Sequence, residues 1–283
     1  MKLLIAGIIL MCAAPLFSQH NSTNWDAGKT NSVTFSTTDT SLQNLFDLAE
    51  KKAADNVRIF SPSYKVLVEG GEYPFVWVET QPVGGVVYAK RNLEVAYNNV
   101  TIFLKNQAKS GRVPGMIIPM NNNIWGLTDL VKADNGYLGL FSETLQGFFV
   151  PGPALELHYL LNKDTAYLNL LYTSFQAYDN YLWKYRDSDG DGCLEAWCQT
   201  DSGEDFLIRY DYGAFVWPFN YPPVAGKIPN DTNFIKKYWP PSHSKNYTHE
   251  KNPMPVQSID VMGYSYTCRD VLAKISAIIK NGN

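Results

Sequence analysis

The chain has 283 residues, 45% of them hydrophobic, and a formal net charge of -3. This length and composition predict a globular protein with a sizeable core and exclude an intrinsically disordered chain. The slightly acidic balance, without a basic run, argues against nucleic-acid binding, which depends on clustered Lys and Arg. Aromatic residues make up 14% of the chain, and they either all fill the core or in part line a groove that stacks on sugar rings.

The first 18 residues, MKLLIAGIILMCAAPLFS, place a lysine before an apolar run that is too short to cross a bilayer with ordinary flanks. This pattern predicts a secretory signal peptide in residues 1–18, cut between Ser18 and Gln19, and a mature chain of residues 19–283. No later segment of the sequence is apolar enough to predict a membrane span. We therefore expect a secreted or periplasmic protein.

Hydrophobic periodicity predicts two helices in the first part of the mature chain. Asp39 or Thr40 caps a helix that runs to about Asn56, and residues 58–85 are predicted to be irregular and partly extended. A second helix has an apolar face formed by Ala89, Leu93, Ala96, Val100 and Phe103. Residues 115–141 are then predicted to form a loop.

The second part of the chain repeats this alternation of helices and polar loops. A short helix is predicted at about residues 152–161, and a long amphipathic helix begins after its cap Asp164 and ends near Tyr185. Residues 213–256 are proline-rich, and a final helix starts near Ser258. Because strands do not alternate with helices, we predict an all-α assembly of helical hairpins whose long loops gather at one end.

The loop after the long helix contains a specific motif. Residues 186–209 read R-D-x-D-x-D-G-x-x-E, then a tryptophan, then D-S-G-x-D-x-x-x-R. This pattern resembles the six-hairpin glycoside hydrolases of family 63 and the mannosylglycerate hydrolase-like group, and the similarity extends from about residue 75 to the end. It implies an incomplete (α/α)6 toroid of helical hairpins with long loops on one rim. It also implies hydrolysis of α-linked glucosides or mannosides with inversion.

The same resemblance implies roles for individual residues. Asp205 matches the general acid that protonates the departing glycosidic oxygen, a task that requires a carboxylic acid held over the bond. Nearby Glu204 and Asp201 would raise its pKa by like-charge repulsion, whereas Arg209 would lower it. The residues expected to bind substrate are Trp77, Glu79, Gln146, Trp197 and Arg209.

The aspartates of this loop also suggest a metal site. Asp187, Asp189 and Asp191 match the first half of a calcium-binding loop, but Cys198 stands at the twelfth position, where a bidentate glutamate is required. Glu195 could supply the missing ligand; the alternative is a turn rich in aspartate and glycine between two helices. No other cofactor is expected. Cys193 and Cys198 either close a small disulfide ring or remain thiols.

Two further expectations concern activity. An inverting enzyme needs a second carboxylate as base, and in the resembled family it lies far downstream. Because the sequence stops at Asn283, and neither Glu250 nor Asp260 has the context of that base, we expect residues 19–283 to be the N-terminal portion of such a catalytic domain, weakly active or inactive by itself. The alternatives are a non-catalytic glycan-binding helical protein, or a lyase or phosphorylase on the same barrel.

Overall fold

The computed structural model describes residues 33–61, 64–71, 73–119, 130–132, 137–140, 145, 147–187, 190–196, 201–203 and 256–281. The predicted signal peptide and nearly all of the proline-rich segment 213–256 lie outside these residues. Within the described residues the protein is mostly α-helical, as predicted. The helices are α1 (Thr40–Asp55), α2 (Gln81–Tyr88), α3 (Leu93–Leu104), α4 (Pro151–Leu160), α5 (Thr165–Tyr185) and α6 (Ile259–Asn281).

Short strands in the described part of the chain form three small antiparallel sheets. They are β1 (Val57–Ser61), β2 (Tyr64–Leu67), β3 (Val76–Trp77), β4 (Met116–Pro119), β5 (Leu130–Lys132), β6 (Tyr137–Leu140), β7 (Glu195–Ala196) and β8 (Val256–Gln257). The sheets are β1-β2, β3-β4-β6-β5 and β7-β8. The prediction that residues 115–141 form only a loop was therefore wrong, because Met116 pairs with Leu140 across the chain reversal and makes β4 and β6 neighbours.

Side-chain caps fix the starts of two helices where the sequence predicted them. The Asp39 carboxylate accepts hydrogen bonds from the N–H groups of Ser41 and Leu42. The Asp164 carboxylate accepts one of 2.9 Å from the N–H of Tyr167. Such caps satisfy N–H groups that have no partner inside the helix, so they set the first residue of α1 and of α5.

The predicted second helix is two helices. Helix α2 ends at Tyr88, and α3 starts only after Asn92, whose side-chain oxygen accepts a 3.1 Å hydrogen bond from the N–H of Val95. Ala89 therefore lies in the turn between them, although it is still buried. The apolar spacing continues through the turn, whereas the asparagine cap interrupts the backbone hydrogen bonds. The asparagine cap is a local signal for the start of a new helix, but the continuous apolar periodicity made the two helices look like one.

A buried asparagine joins α2, α3 and β2. The Asn99 side chain accepts a 2.8 Å hydrogen bond from the N–H of Leu67, donates one of 2.8 Å to the Leu67 carbonyl, and donates one of 3.2 Å to the Gln81 carbonyl. Gly85 allows this close packing, since a Cβ there would lie 2.7 Å from the Asn99 Cβ. Asn99 also begins an N-x-T sequence, but its amide is used inside the fold and is not a surface acceptor for a glycan.

Helices α5 and α6 pack along their length. The Asp179 carboxylate on α5 accepts hydrogen bonds from the Ser265 hydroxyl and, at 2.9 Å, from Arg269 Nε. Trp183 Nε1 donates a 2.8 Å bond to the Ser265 hydroxyl, and the Arg269 guanidinium lies 4.9 Å from the centre of the Trp183 ring. These polar contacts border buried apolar side chains such as Phe175 and hold the two helices in one register.

Helix α1 lies at the periphery. None of its residues is buried, and Leu42, Leu45 and Leu48 are more than half exposed. Its tie to the rest of the protein includes the ion pair between Glu50 and Arg91 of the α2–α3 turn. Among the helices that the structure describes, none is both long enough and apolar enough to cross a membrane.

Candidate active site

A tight turn presents Trp77 and Glu79 at the end of β3. Strand β3 pairs with β4, and the pairing continues through a 2.9 Å bond from the N–H of Val78 to the Gly115 carbonyl. The buried Gln81 side chain accepts hydrogen bonds from the Trp77 N–H and, at 2.8 Å, from the Thr80 hydroxyl. This amide therefore closes the turn from inside. Trp77 is only 9% exposed.

Two glycines bring three segments of the chain into contact at this turn. A Cβ on Gly147 would lie 3.1 Å from Glu79 Cβ, 3.1 Å from Gly203 Cα and 3.1 Å from the Ser202 carbonyl oxygen. A Cβ on Gly203 would lie 2.5 Å from Glu79 Oε2. Both glycines have positive φ values, +63° and +75°, a conformation that glycine adopts without steric cost. The Glu79 carboxylate thus lies directly against the backbone of residue 203.

The segment 201–203 is held by Asp201, around which several polar groups converge. Arg186 Nη1 donates a 2.7 Å hydrogen bond to Asp201 Oδ2, and both side chains are almost fully buried. Asp201 Oδ1 accepts a 2.6 Å bond from the N–H of Leu145. The Asp201 carbonyl accepts bonds from the N–H of Gly147 at 3.2 Å and from the Tyr264 hydroxyl at 2.7 Å. We call these five residues the Asp201 cluster.

Only part of the predicted site lies within the described residues. Trp77 and Glu79 are among the described residues. The other predicted site residues lie outside them, namely Gln146, Trp197, Asp205 and Arg209. Their neighbours along the chain are nevertheless described. Gly147 directly follows Gln146, and Gly203 precedes Asp205 by two positions. The structure therefore brings together the turn with Glu79 and the segments next to Gln146 and Asp205.

Sequence reasoning missed the members of the Asp201 cluster other than Asp201 itself, and an aromatic side chain beside it. Arg186 appeared in the sequence analysis only as the first residue of the acidic motif. Tyr264 lies on α6, 63 positions after Asp201. Phe149 is 50% exposed and lies edge-on to Tyr264, with 6.0 Å between ring centres. An exposed ring two residues after Gly147 is a candidate surface for stacking on a sugar.

The described residues of the acidic loop after α5 are joined by several hydrogen bonds to carboxylates. The Asp187 carboxylate accepts a 3.3 Å hydrogen bond from the Gly192 N–H, and Asp191 accepts from the Cys193 N–H at 2.8 Å and from the Gln257 side chain. Oxygen atoms of Asp187, Asp191 and Glu195 lie within 4.8 Å of one another. Three carboxylates at this spacing could hold a divalent cation. Asp189, the remaining aspartate of the predicted loop, lies outside the described residues.

Other titratable groups are buried away from this turn. His158 on α4 is fully buried, and burial is the main cause that lowers its pKa. Cys268 on α6 is a free, buried thiol, and burial raises its pKa well above the usual value. A neutral imidazole and a protonated thiol are typical of structural core positions. Of the two alternatives for Cys193, the disulfide would involve Cys198, which lies outside the described residues.

No protein-family model matches the chain, and no curated protein matches it. The resemblance of residues 186–209 to family 63 glycoside hydrolases thus rests on the motif itself.

Proposed function

We propose that this protein is an exported glycoside hydrolase that in its full-length form cleaves α-linked glucosides or mannosides with inversion of configuration. The observation that supports this proposal is the meeting of Glu79 with the backbone at Gly147 and Gly203. The motif resemblance assigns sugar binding to Glu79 and to the residue before Gly147, and it assigns proton donation to Asp205, two residues after Gly203. Segments with related roles lie in contact although they are far apart in sequence.

The proposed reaction needs few groups. Asp205 donates a proton to the glycosidic oxygen as the bond from the anomeric carbon to that oxygen breaks. A water molecule adds to the anomeric carbon from the opposite face and loses its proton to a carboxylate base, which inverting enzymes place about 6.5–9.5 Å from the acid. Glu79 accepts hydrogen bonds from sugar hydroxyls, and exposed rings stack on the sugar. We assign no residue to the base.

For the architecture we propose the six-hairpin toroid of the resembled family. Three features support it. Helices α2 and α3 form one contacting pair, α4 and α5 form another, and α6 packs on α5. The short sheets and the acidic loop occupy the connections between these helices. A site formed by connections at one end of helical hairpins is what this architecture would provide.

Product release from α-linked disaccharides tests the function. The full-length wild-type protein is incubated with maltose and with α-linked mannobiose, and free sugar is measured. We expect Asp205→Asn to abolish release while sugar binding, measured by calorimetry, is retained. Asp55→Asn, at the exposed end of α1, is the matched control and should hydrolyse as the wild type does. Full turnover by a folded Asp205→Asn protein would reject Asp205 as the acid.

The other candidate functions give different results in the same assays. A non-catalytic glycan-binding protein binds the disaccharides but releases no sugar from either. A phosphorylase releases sugar phosphate only when inorganic phosphate is present, and a lyase forms an unsaturated product. The absence of both binding and release would reject the sugar-directed proposals together.

A further inference from the structure

Phe149 is exposed in a segment that is otherwise buried. Its neighbours Gly147, Phe148, Val150 and Pro151 are all buried, whereas Phe149 itself is 50% exposed. Single exposed apolar side chains are common on protein surfaces, so exposure alone does not indicate a ligand. The contacts of the ring and the groups within its reach determine what it can bind.

The ring of Phe149 is supported by Tyr264. The two rings meet edge to face, with 6.0 Å between their centres and 90° between their planes. Tyr264 is buried, its hydroxyl donates a 2.7 Å hydrogen bond to the Asp201 carbonyl, and its ring also packs edge-on against Phe148. A ring that rests on such a fixed neighbour loses little conformational freedom when a ligand stacks on it. Phe149 is therefore a preorganised aromatic surface.

Glu79 lies within reach of a ligand on this surface. A Cβ on Gly147 would lie 3.1 Å from Glu79 Cβ, and consecutive Cα atoms are about 3.8 Å apart. Phe149 Cα is therefore within about 12 Å of Glu79 Cβ, a distance that the two side chains and a bound sugar can span. Glu79 is half-buried, whereas Trp77, the aromatic residue two positions before it, is only 9% exposed. Of these two aromatic residues, Phe149 offers the larger surface to a ligand.

We propose that Phe149 and Glu79 form one subsite for a hexopyranose unit, in which the ring stacks on the C–H face of the sugar and the carboxylate accepts hydrogen bonds from its hydroxyls. This inference rests on the proposed function, which assigns hydroxyl binding to Glu79 but no residue to stacking. A pyranose has an apolar C–H face and a rim of hydroxyl groups, so its recognition requires a flat apolar surface and a polar acceptor. Phe149 and Glu79 supply these two chemistries from separate segments of the chain.

The test measures binding of methyl α-D-glucoside and methyl α-D-mannoside to the full-length protein by calorimetry. Each glycoside contains a single sugar ring, so a dependence on both residues places them on the same unit. For the glycoside that binds more tightly, Phe149→Ala should weaken binding about tenfold, and Phe149→Leu, which is apolar but has no flat ring, about fivefold. Phe149→Tyr should stay within about twofold of the wild type. Glu79→Gln should weaken binding about tenfold, because it loses the charge of the acceptor.

Tyr159→Ala is the matched control for Phe149→Ala. Tyr159 is 54% exposed and lies at the opposite end of α4, a helix of 10 residues that is about 15 Å long. This variant should bind both glycosides as the wild type does. A loss equal to that of Phe149→Ala would refute the subsite, since it would show that removal of any exposed ring has the same effect.

Two further readouts distinguish stacking from a general structural effect. Ring protons of the bound glycoside should move upfield in the NMR spectrum of the wild type and of Phe149→Tyr but not of Phe149→Leu, because only an aromatic ring shields protons above its face. On the disaccharide that the protein cleaves, Phe149→Ala should raise KM about tenfold and leave kcat within about twofold, as expected for a contact made equally in the ground state and the transition state.

The outcomes separate the subsite from the function on which it rests. An active wild type with unchanged affinity in Phe149→Ala or in Glu79→Gln would refute the shared subsite alone. A wild type that binds a glycoside through both residues but releases no sugar from disaccharides would support the subsite and refute hydrolysis. A folded wild type that binds neither glycoside would refute the subsite, whether or not it cleaves disaccharides.

Discussion

Replacing Gly147 by alanine tests whether three chain segments meet where the structure places them. The added methyl group would lie 3.1 Å from Glu79 Cβ, from Gly203 Cα and from the Ser202 carbonyl oxygen. Two of these neighbours are main-chain atoms, which cannot rotate away as the end of a flexible side chain can. The substitution must therefore separate the segments that bear the proposed site.

The free energy of folding that Gly147→Ala is expected to lose has two parts. A non-glycine residue in the left-handed conformation of Gly147 loses about 1–2 kcal/mol, and overpacking a well-filled site costs about 1–3 kcal/mol more. The sum of about 3 kcal/mol lowers the melting temperature by roughly 6–12 °C in a protein of this size. Separation of Glu79 from Gly203 should also weaken sugar binding by about tenfold or more.

Thermal unfolding followed by circular dichroism measures this loss, and Gly71→Ala is the matched control. Gly71 also has a positive φ of +58°, but a Cβ there would meet nothing within 4 Å. The control should lose only the conformational part, about 1 kcal/mol. Equal shifts in melting temperature for the two variants would show that the close approach around Gly147 is wrong.

Three further predictions concern stability. Asn99→Leu should cost about 3 kcal/mol or more in urea unfolding, because it leaves three main-chain groups without their hydrogen bonds; a loss below about 1 kcal/mol would contradict that network. Burial lowers the pKa of His158, so the unfolded chain binds its proton first as the pH falls below about 6.5, and stability should decrease from there by up to about 1.4 kcal/mol per pH unit until the folded imidazole is also protonated. His158→Gln should lose this slope, and an identical pH profile would refute the assignment. Arg269→Met should cost about 1 kcal/mol or less, because the Arg269 side chain, which pairs with Asp179, is 56% exposed; the loss should shrink in high salt, and a salt-independent loss would point to packing instead.

Local signals explain which parts of the fold were predictable. The starts of α1 and α5 follow from Asp39 and Asp164, whose side chains act within three residues of themselves. The strands were missed because β3, β4 and β6 are individually too short to show a period and exist only through pairing with distant segments. Asn92 shows a third case, in which a local cap was present but the continuous apolar spacing outweighed it.

The site was less predictable than the helices for the same reason. The motif indicated which residues are expected to bind or cleave a sugar, but spacing along the chain contains no information about which segments touch. The contact of Glu79 with Gly203 and the bond from Tyr264 to Asp201 span 124 and 63 positions, respectively (203 − 79 and 264 − 201). The bond from Tyr264 also depends on the packing of α5 against α6, which requires side chains from both helices at once.

The position of Tyr264 late in the sequence determines when the Asp201 cluster can be completed during synthesis. Residues 201–203 are synthesised well before α6, and at about 5–20 residues per second the 63 positions between Asp201 and Tyr264 take roughly 3–13 s to appear. During that interval the Asp201 carbonyl lacks one donor, and the face of α5 that α6 covers remains open to water. The helices can form early, but the proposed site becomes complete only when α6 docks. Recovery of sugar binding after dilution from denaturant should therefore lag behind recovery of helical signal.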